Sequence, residues 1–254
     1  MISIFKFILF FIIIIGYLMI FDKKLKIKKD FLIPITFIIL IIFLYFSSLL
    51  NMLRYATPLI SIIGICSYFY LIYKKELTFK YLKEFFDYKY ILIFLIMIMV
   101  SIRCLSLKII HYDNFSHWAL IVKNLFVNNT LGSFEYNVDL FTSYPPGSAL
   151  FIYYFGSVVS KTESCMLIGQ AILSIGLLSS LTTLFQEKNK ILSSITFVFS
   201  IMILLLFNNT LDNLLVDNML GYVGILSLMI AYNYKNNLNK SFKLLTIVNI
   251  FLVI

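Results

Sequence analysis

The stretch YPPGSALFIYYFGSVVS, Tyr144 to Ser160, decides how this chain folds. From Pro145 to Ser160 it is apolar enough to pass for a membrane helix, and Pro145-Pro146 supply a start, because proline is at home in a helix's first turn. It is also short, since a hydrocarbon core about 30 Å thick needs roughly 20 residues of helix. Whether it crosses or turns back sets the side on which everything after it lies.

Its surroundings are those of a polytopic membrane protein. Of 254 residues, 61% are hydrophobic and only 13% charged, and the mean hydropathy is +0.96. A soluble domain would carry about a quarter charged residues. Long unbroken apolar runs select helices, which satisfy their own backbone groups in lipid. Candidate spans are Ile2 to Phe21, Phe31 to Leu50, Ala56 to Tyr73, Tyr90 to Leu107, Ser164 to Phe185, Ile191 to Phe207 and Met219 to Tyr234, with a stub from Leu244 to Ile254 too short to cross. The first run has only Lys6 before it and no small-residue cleavage site, so it reads as an uncleaved span and not as a signal peptide. Cys66, Cys104 and Cys165 lie in or beside apolar runs without CxxC spacing, which argues against a disulfide framework or a zinc set. The excess of Ile, Lys, Asn, Phe and Tyr resembles an AT-rich coding bias and suggests a bacterial source.

Lysine placement orients the spans, because short loops rich in Lys and Arg stay in the cytoplasm. Loop 22–30 carries Lys23, Lys24, Lys26, Lys28 and Lys29, and loop 74–89 carries Lys74, Lys75, Lys80, Lys83 and Lys89. The chain then reaches the extracytoplasmic face after Leu107. If Pro145 to Ser160 crossed, Lys188, Lys190, Lys235, Lys240 and Lys243 would fall outside, and the lysine-free loop with Asp212 and Asp217 inside. A short juxtamembrane or re-entrant helix instead keeps 15 of the 21 basic residues cytoplasmic. The net charge of +9 is then a topology signal, and no nucleic-acid partner is expected. The fold class expected is an all-α polytopic membrane protein with about seven to eight transmembrane helices, an external amphipathic helix and a juxtamembrane helix.

The external stretch opens with His111-Tyr112-Asp113-Asn114-Phe115-Ser116-His117-Trp118, which holds both histidines and the only tryptophan. Asp113 or Asn114 can N-cap a following helix, in which Trp118, Ile121, Val122, Leu125 and Phe126 share one face while Lys123, Asn124 and Asn128 look away. Such a helix suits the outer interface, and Asn128 to Gly132 end it. Asp113 is either a cap at the membrane edge or a functional carboxylate, which at a low-dielectric boundary could act as general base or hold a divalent cation. At i and i+4, Asp113 and His117 share a face and could hold a metal together; His117 otherwise reads as a hydrogen-bonding or interfacial residue. Trp118 suits an interface anchor, Arg103 could snorkel or bind phosphate, and Asp212 and Asp217 suit a solvated loop.

This pattern resembles the GT-C superfamily of integral-membrane glycosyltransferases, in particular relatives of the protein O-mannosyltransferases and aminoarabinose transferases. The likeness rests on Tyr112-Asp113-Asn114 after a span, an amphipathic external helix, Tyr144-Pro145-Pro146-Gly147 opening a juxtamembrane helix, and Asp212 or Asp217 as a later acid, and it covers about Tyr90 to Tyr234. It departs from the family in having Asn114 where a second acid is common, and in three spans before the motif. It implies an N-terminal three-helix extension at 1–89, a membrane core at 90–234 with an external loop at 108–163, and at 235–254 a cytoplasmic loop and the start of a further helix cut at Ile254, with more spans expected beyond. It also implies a polyprenyl-phosphate sugar donor in membrane lipid, a glycan, lipid or protein acceptor, and transfer at the extracytoplasmic face of the cell membrane. Asp113 would be the catalytic base or a ligand to a divalent cation, and His117, Lys123, Arg103, Tyr144, Asp212 and Asp217 would bind substrate. The alternative is a non-enzymatic polytopic protein, such as a lipid-linked glycan transporter, or an inactive truncated homologue. Spans nearly free of acids and bases, with polar groups gathered at the outer face, favour interfacial chemistry over translocation.

Overall fold

A computed structural model describes residues 3–131, 145–185, 189–206 and 211–254. Eleven α-helices and no strand occur among them: α1 (Ile4–Leu25), α2 (Leu32–Leu49), α3 (Leu53–Tyr73), α4 (Phe79–Phe85), α5 (Tyr88–Cys104), α6 (Ala119–Asn128), α7 (Gly147–Val158), α8 (Glu163–Leu178), α9 (Lys190–Leu206), α10 (Asp217–Asn233) and α11 (Leu238–Val253). Local chemistry sets their ends. Thr78, Asp87, Thr162 and Asn237 each accept a backbone N–H from the first turn of α4, α5, α8 and α11, satisfying donors that have no partner inside the helix. Lys26 and Asn129 stop α1 and α6 in the left-handed region.

Among the described residues, four helices are long and apolar enough to cross a membrane: α1, α2 with its preceding 3₁₀ turn, α3, and α8 with the 3₁₀ turn that extends it to Leu184. A fifth is gained if α4 and α5, bent by 64°, form one span. α9 and α10 have 17 described residues each, and α9 runs up to residues outside those described. The apolar stub at the end of the chain begins earlier than hydropathy suggests, at Leu238, because Asn237 caps it there.

α8 is the centre of the bundle. It is largely apolar, 94% buried along its span where α3 is 33% buried, and it packs against α2, α5, α7 and α10. A helix hydrophobic all round belongs inside. The outward faces of α3 and α9 are also apolar: Tyr55, Leu59, Ile62 and Phe69 on one, and Ile191, Leu192, Ile195 and Phe199 on the other, are exposed. So much exposed apolar surface is compatible with a membrane protein. Helices before and after residue 90 pack into one body, since α1 and α2 both contact α7 and α2 also contacts α8 and α11.

The bundle has two chemically distinct ends. At one, Asp30 accepts from Lys89 at 3.0 Å and from the Thr182 hydroxyl at 2.6 Å, Tyr90 donates to the Lys29 carbonyl, and Tyr234 accepts the Lys28 backbone N–H. Loops 22–30 and 74–89, the end of α8 and the α10–α11 connection thus meet, as their shared lysines predict. At the other end, Lys161 donates to the Phe126 carbonyl at 2.9 Å, Tyr153 meets Asn129 at 2.7 Å, and Gly147 N–H donates to the Ile254 carbonyl at 3.0 Å. Both flanks of α7 lie at this second end. α7 has 12 residues, about 18 Å at 1.5 Å per residue, less than a hydrocarbon core needs.

Glycines let the helices close up. α1 crosses α3 where Gly16 faces Gly64: a Cβ on Gly16 would overlap the Gly64 carbonyl, and one on Gly64 would fall 2.9 Å from the Ile13 carbonyl oxygen. Two tyrosines flank the crossing reciprocally, Tyr17 donating to the Ile60 carbonyl at 2.8 Å and Tyr68 to the Ile12 carbonyl at 2.6 Å. In lipid, where burial gives little drive, small residues and interhelical hydrogen bonds supply the association. Gly156 receives the ring of Phe126, and Gly176 that of Phe37.

Gly16→Leu is therefore expected to lower stability by about 3 kcal/mol, the upper end of overpacking, whereas Gly221→Ala, which faces open space, should melt like the wild type in detergent; a Gly16→Leu protein with an unchanged melting temperature would remove the crossing from this account. In a Cys66→Ser background, which removes the one exposed cysteine, single cysteines at Lys161 and Lys240 should react with an impermeant maleimide from opposite sides of a vesicle. Labelling of both from one side would contradict the two-ended bundle.

Candidate functional site

The second end holds a cavity of about 360 Å³. It forms where the turn after α5 meets α7, α10 and α11. Asp113, His117 and Trp118 come from that turn, Gly147 and Ser148 from the start of α7, Asp217 and the apolar Met219, Leu220 and Val223 from α10, and Phe251, Leu252 and Ile254 from α11. The glycine matters locally, because a Cβ on Gly147 would fall 2.9 Å from the Phe251 ring and push α11 away.

The turn is a π-helical one, Asn114–Trp118, in which the Ala119 N–H donates to the Asn114 carbonyl five residues back. Such turns are rare and frequent at functional sites. Asp113 has helical backbone angles and its side chain makes no cap hydrogen bond, so the capping role allowed by the sequence is corrected for Asp113 and Asn114 alike: the chain is already helical at 112, ahead of both. His111 Nδ1 lies 3.6 Å from the Asp113 carboxylate but accepts the Asp113 backbone N–H at 3.3 Å. Both side chains are nearly half exposed. His117 is buried, its Nδ1 2.7 Å from the Ser116 hydroxyl, which also reaches the Asp113 carbonyl at 3.3 Å. When Ser116 gives its hydrogen to that carbonyl, its oxygen accepts from Nδ1, and Nε2 becomes the basic atom of the ring.

Asn114 does something its sequence position does not announce. Fully buried, it donates to the His111 carbonyl at 3.3 Å, and its Oδ1 accepts the Leu214 N–H at 2.8 Å. From α8, the buried Gln170 amide donates to the Leu215 carbonyl at 3.1 Å. Two side-chain amides thus hold two peptide groups of the segment that delivers Asp217, the first residue of α10, to the cavity wall. A helix N-terminus favours a negative side chain there. No periodicity signals either clamp, because each joins residues that meet only in the folded bundle.

The predicted site residues divide accordingly. Asp113, His117 and Asp217 come together on one cavity. Lys123 instead stands 3.9 Å from Glu163, half exposed, and Arg103 donates to Ser106 Oγ at 2.8 Å; neither is on the wall, where among the described residues no Lys or Arg stands. Asp212 also lies off the wall and accepts from Asn213 at 3.4 Å. Tyr144 lies outside the described residues. Trp118 is buried against the site rather than anchored outward, and the apolar face of α6, with Ile121, Val122, Leu125 and Phe126 all buried, packs on α7 instead of lying on lipid. Among the described residues no group of three or more His, Cys, Asp or Glu side chains could hold a metal; Asp113 and His117 offer two donors. Ser148 and the end of α11 were not legible as site elements.

Set beside known protein families, characterised proteins and solved structures, the chain matches none.

Asn114→Ala should leave the Leu214 N–H buried without its acceptor, at a cost of about 1–3 kcal/mol, and amide exchange in 211–217 should accelerate while that of α1 stays as in the wild type. Unchanged exchange there would show that the clamp does not hold the segment.

Proposed function

We propose that this chain is a membrane glycosyltransferase, or part of one, that moves a sugar from a polyprenyl-phosphate donor to an acceptor hydroxyl at the extracytoplasmic face. The observation that supports it best is the meeting of Asp113 and Asp217, from opposite parts of the sequence, on a cavity whose remaining wall is largely apolar. An amphiphile fits such a site. Met219, Leu220, Val223 and Phe251 would lie against the isoprenoid, and the sugar end would face the acids.

In this reading Asp113 accepts the proton of the acceptor hydroxyl, the hydroxyl oxygen bonds to the anomeric carbon with inversion, and the bond from that carbon to the phosphate oxygen breaks, its electron pair leaving with the lipid phosphate. Asp217 holds the sugar or acceptor hydroxyls, and His117 orders the turn and can share the proton. A divalent cation, if one is used, would be held by Asp113 and His117 and would offset the charge of a phosphate near two carboxylates. Lys123 and Arg103 take no part, because they point elsewhere. The lack of Lys and Arg on the described wall favours one second reading: a protein that binds or passes a lipid-linked glycan without cleaving it.

In proteoliposomes given a panel of radiolabelled polyprenyl-phosphate sugars, the wild type should transfer label, Asp113→Asn should lose about 100-fold or more, and Lys123→Gln should stay within about twofold, as expected of a surface change. Equal transfer by wild type and Asp113→Asn would exclude Asp113 as the base; retention of donor with no transfer by the wild type would favour the second reading.

A further inference from the structure

Two helices begin on the wall of the cavity, and their first turns differ. α10 starts with Asp217, an acid in its own first turn, which answers the positive end of that helix. α7, with 12 residues, has no acid in its first turn, and Pro146 before it offers no side-chain cap. Pro145 and Pro146 have no N–H to give. The Gly147 N–H goes to the Ile254 carbonyl at 3.0 Å, and the ladder begins with the Leu150 N–H on the Pro146 carbonyl at 2.9 Å. The N–H groups of Ser148 and Ala149, between them, are left without an acceptor inside the helix. Gly147, Ser148 and Ala149 are all buried, so this is not a helix start dissolved in bulk water, and buried N–H groups without partners are costly.

A side chain at the same point adds a third donor. Ser148 is 8% exposed and lines the cavity, yet its hydroxyl has no hydrogen-bond partner among the described residues. Two N–H groups and one O–H therefore gather at the positive end of a helix, an arrangement suited to phosphate oxygens. A sugar hydroxyl brings a hydrogen of its own, whereas a phosphodiester oxygen only accepts and can take all three. Asp113 and Asp217 stand on the same wall, but both reach water, where their charge is screened; the donors at the start of α7 do not. Met219, Leu220 and Phe251 complete the wall with apolar surface. A free phosphate would leave that surface unused, and a lipid phosphate would cover it with its tail.

We propose that the start of α7, through the Ser148 hydroxyl and the N–H groups of Ser148 and Ala149, binds the phosphate of the lipid donor, the part that Lys or Arg would otherwise play on this wall. The assignment rests on the polyprenyl-phosphate reading of the cavity, but it concerns binding and not transfer, so the two fail separately.

Trp118, the only tryptophan, lines the same cavity, so its emission, together with native mass spectrometry, reports binding to the full chain in nanodiscs. A polyprenyl phosphate should bind the wild type about 30-fold or more tightly than the polyprenol of equal length, Ser148→Ala should cut that preference about tenfold, and Ser148→Thr, which keeps the hydroxyl, should retain it. Inorganic phosphate should bind at least about 100-fold more weakly than the polyprenyl phosphate, because it has no tail to bury; equal affinity would overturn the lipid assignment. Equal binding of the lipid phosphate and the alcohol by the wild type, or an undiminished preference in Ser148→Ala, would overturn the phosphate subsite and leave the apolar cavity as a lipid site. Binding of neither lipid by both measurements would overturn the subsite and the donor reading together.

Discussion

The complete burial of α8 is the constraint on which the rest of the structure depends. α8 buries Gln170 and Ser174 among its apolar side chains, and α2, α5, α7 and α10 surround it. Its glycines set how near they come: Gly176 takes the Phe37 ring of α2, and Gly169 lies 3.3 Å, through the Cβ it lacks, from the Ile152 backbone of α7. Where the surroundings are as apolar as the side chains, shape and hydrogen bonds take over from burial as the source of specificity. The Gly16–Gly64 crossing with its two tyrosine bonds follows the same rule away from the centre.

α8 also reaches the candidate site. Its Gln170 holds the Leu215 carbonyl while Asn114 holds the Leu214 N–H, so a segment without regular structure is positioned by two buried amides. Segments of this kind move when their peptide groups are left to water. Here the two hydrogen bonds, in surroundings of low dielectric, bring Asp217 to the cavity that already contains Asp113 and His117. The amide at position 114 is thus explained by geometry: a carboxylate there would be a buried charge, whereas an amide donates to the His111 carbonyl and accepts from Leu214 at once. The basic end is organised differently. Its side chains are long and partly exposed, and tyrosine rings and carbonyls, more often than carboxylates, hold its lysines.

Much of the framework was legible beforehand. Apolar runs mark the helices, the lysine loops predict which connections meet, and the periodicity of Trp118, Ile121, Val122, Leu125 and Phe126 identifies the buried face of α6. The stretch after Pro145-Pro146 forms a helix of 12 residues, α7, as short as its apolar run suggested. Hydropathy measures apolarity and not where a helix is capped, as the start of α11 after Asn237 illustrates. It also could not tell a face that packs on protein from one that lies on lipid, since both need the same residues; hence Trp118 is a buried wall and not an outward anchor.

By itself the sequence determined an all-helical chain whose apolar helices are compatible with a membrane, the order of those helices, and the lysine loops that meet at one end. These follow from local quantities: apolarity over a window, charge per loop, and spacing along one helix. Only the tertiary structure decided that Asp217 joins Asp113 while Asp212, Lys123 and Arg103 do not, that Asn114 and Gln170 are clamps, and that α11 walls the cavity. Each of these is a contact between elements far apart in the chain, and side-chain direction across such contacts is set by helix packing rather than by composition or period.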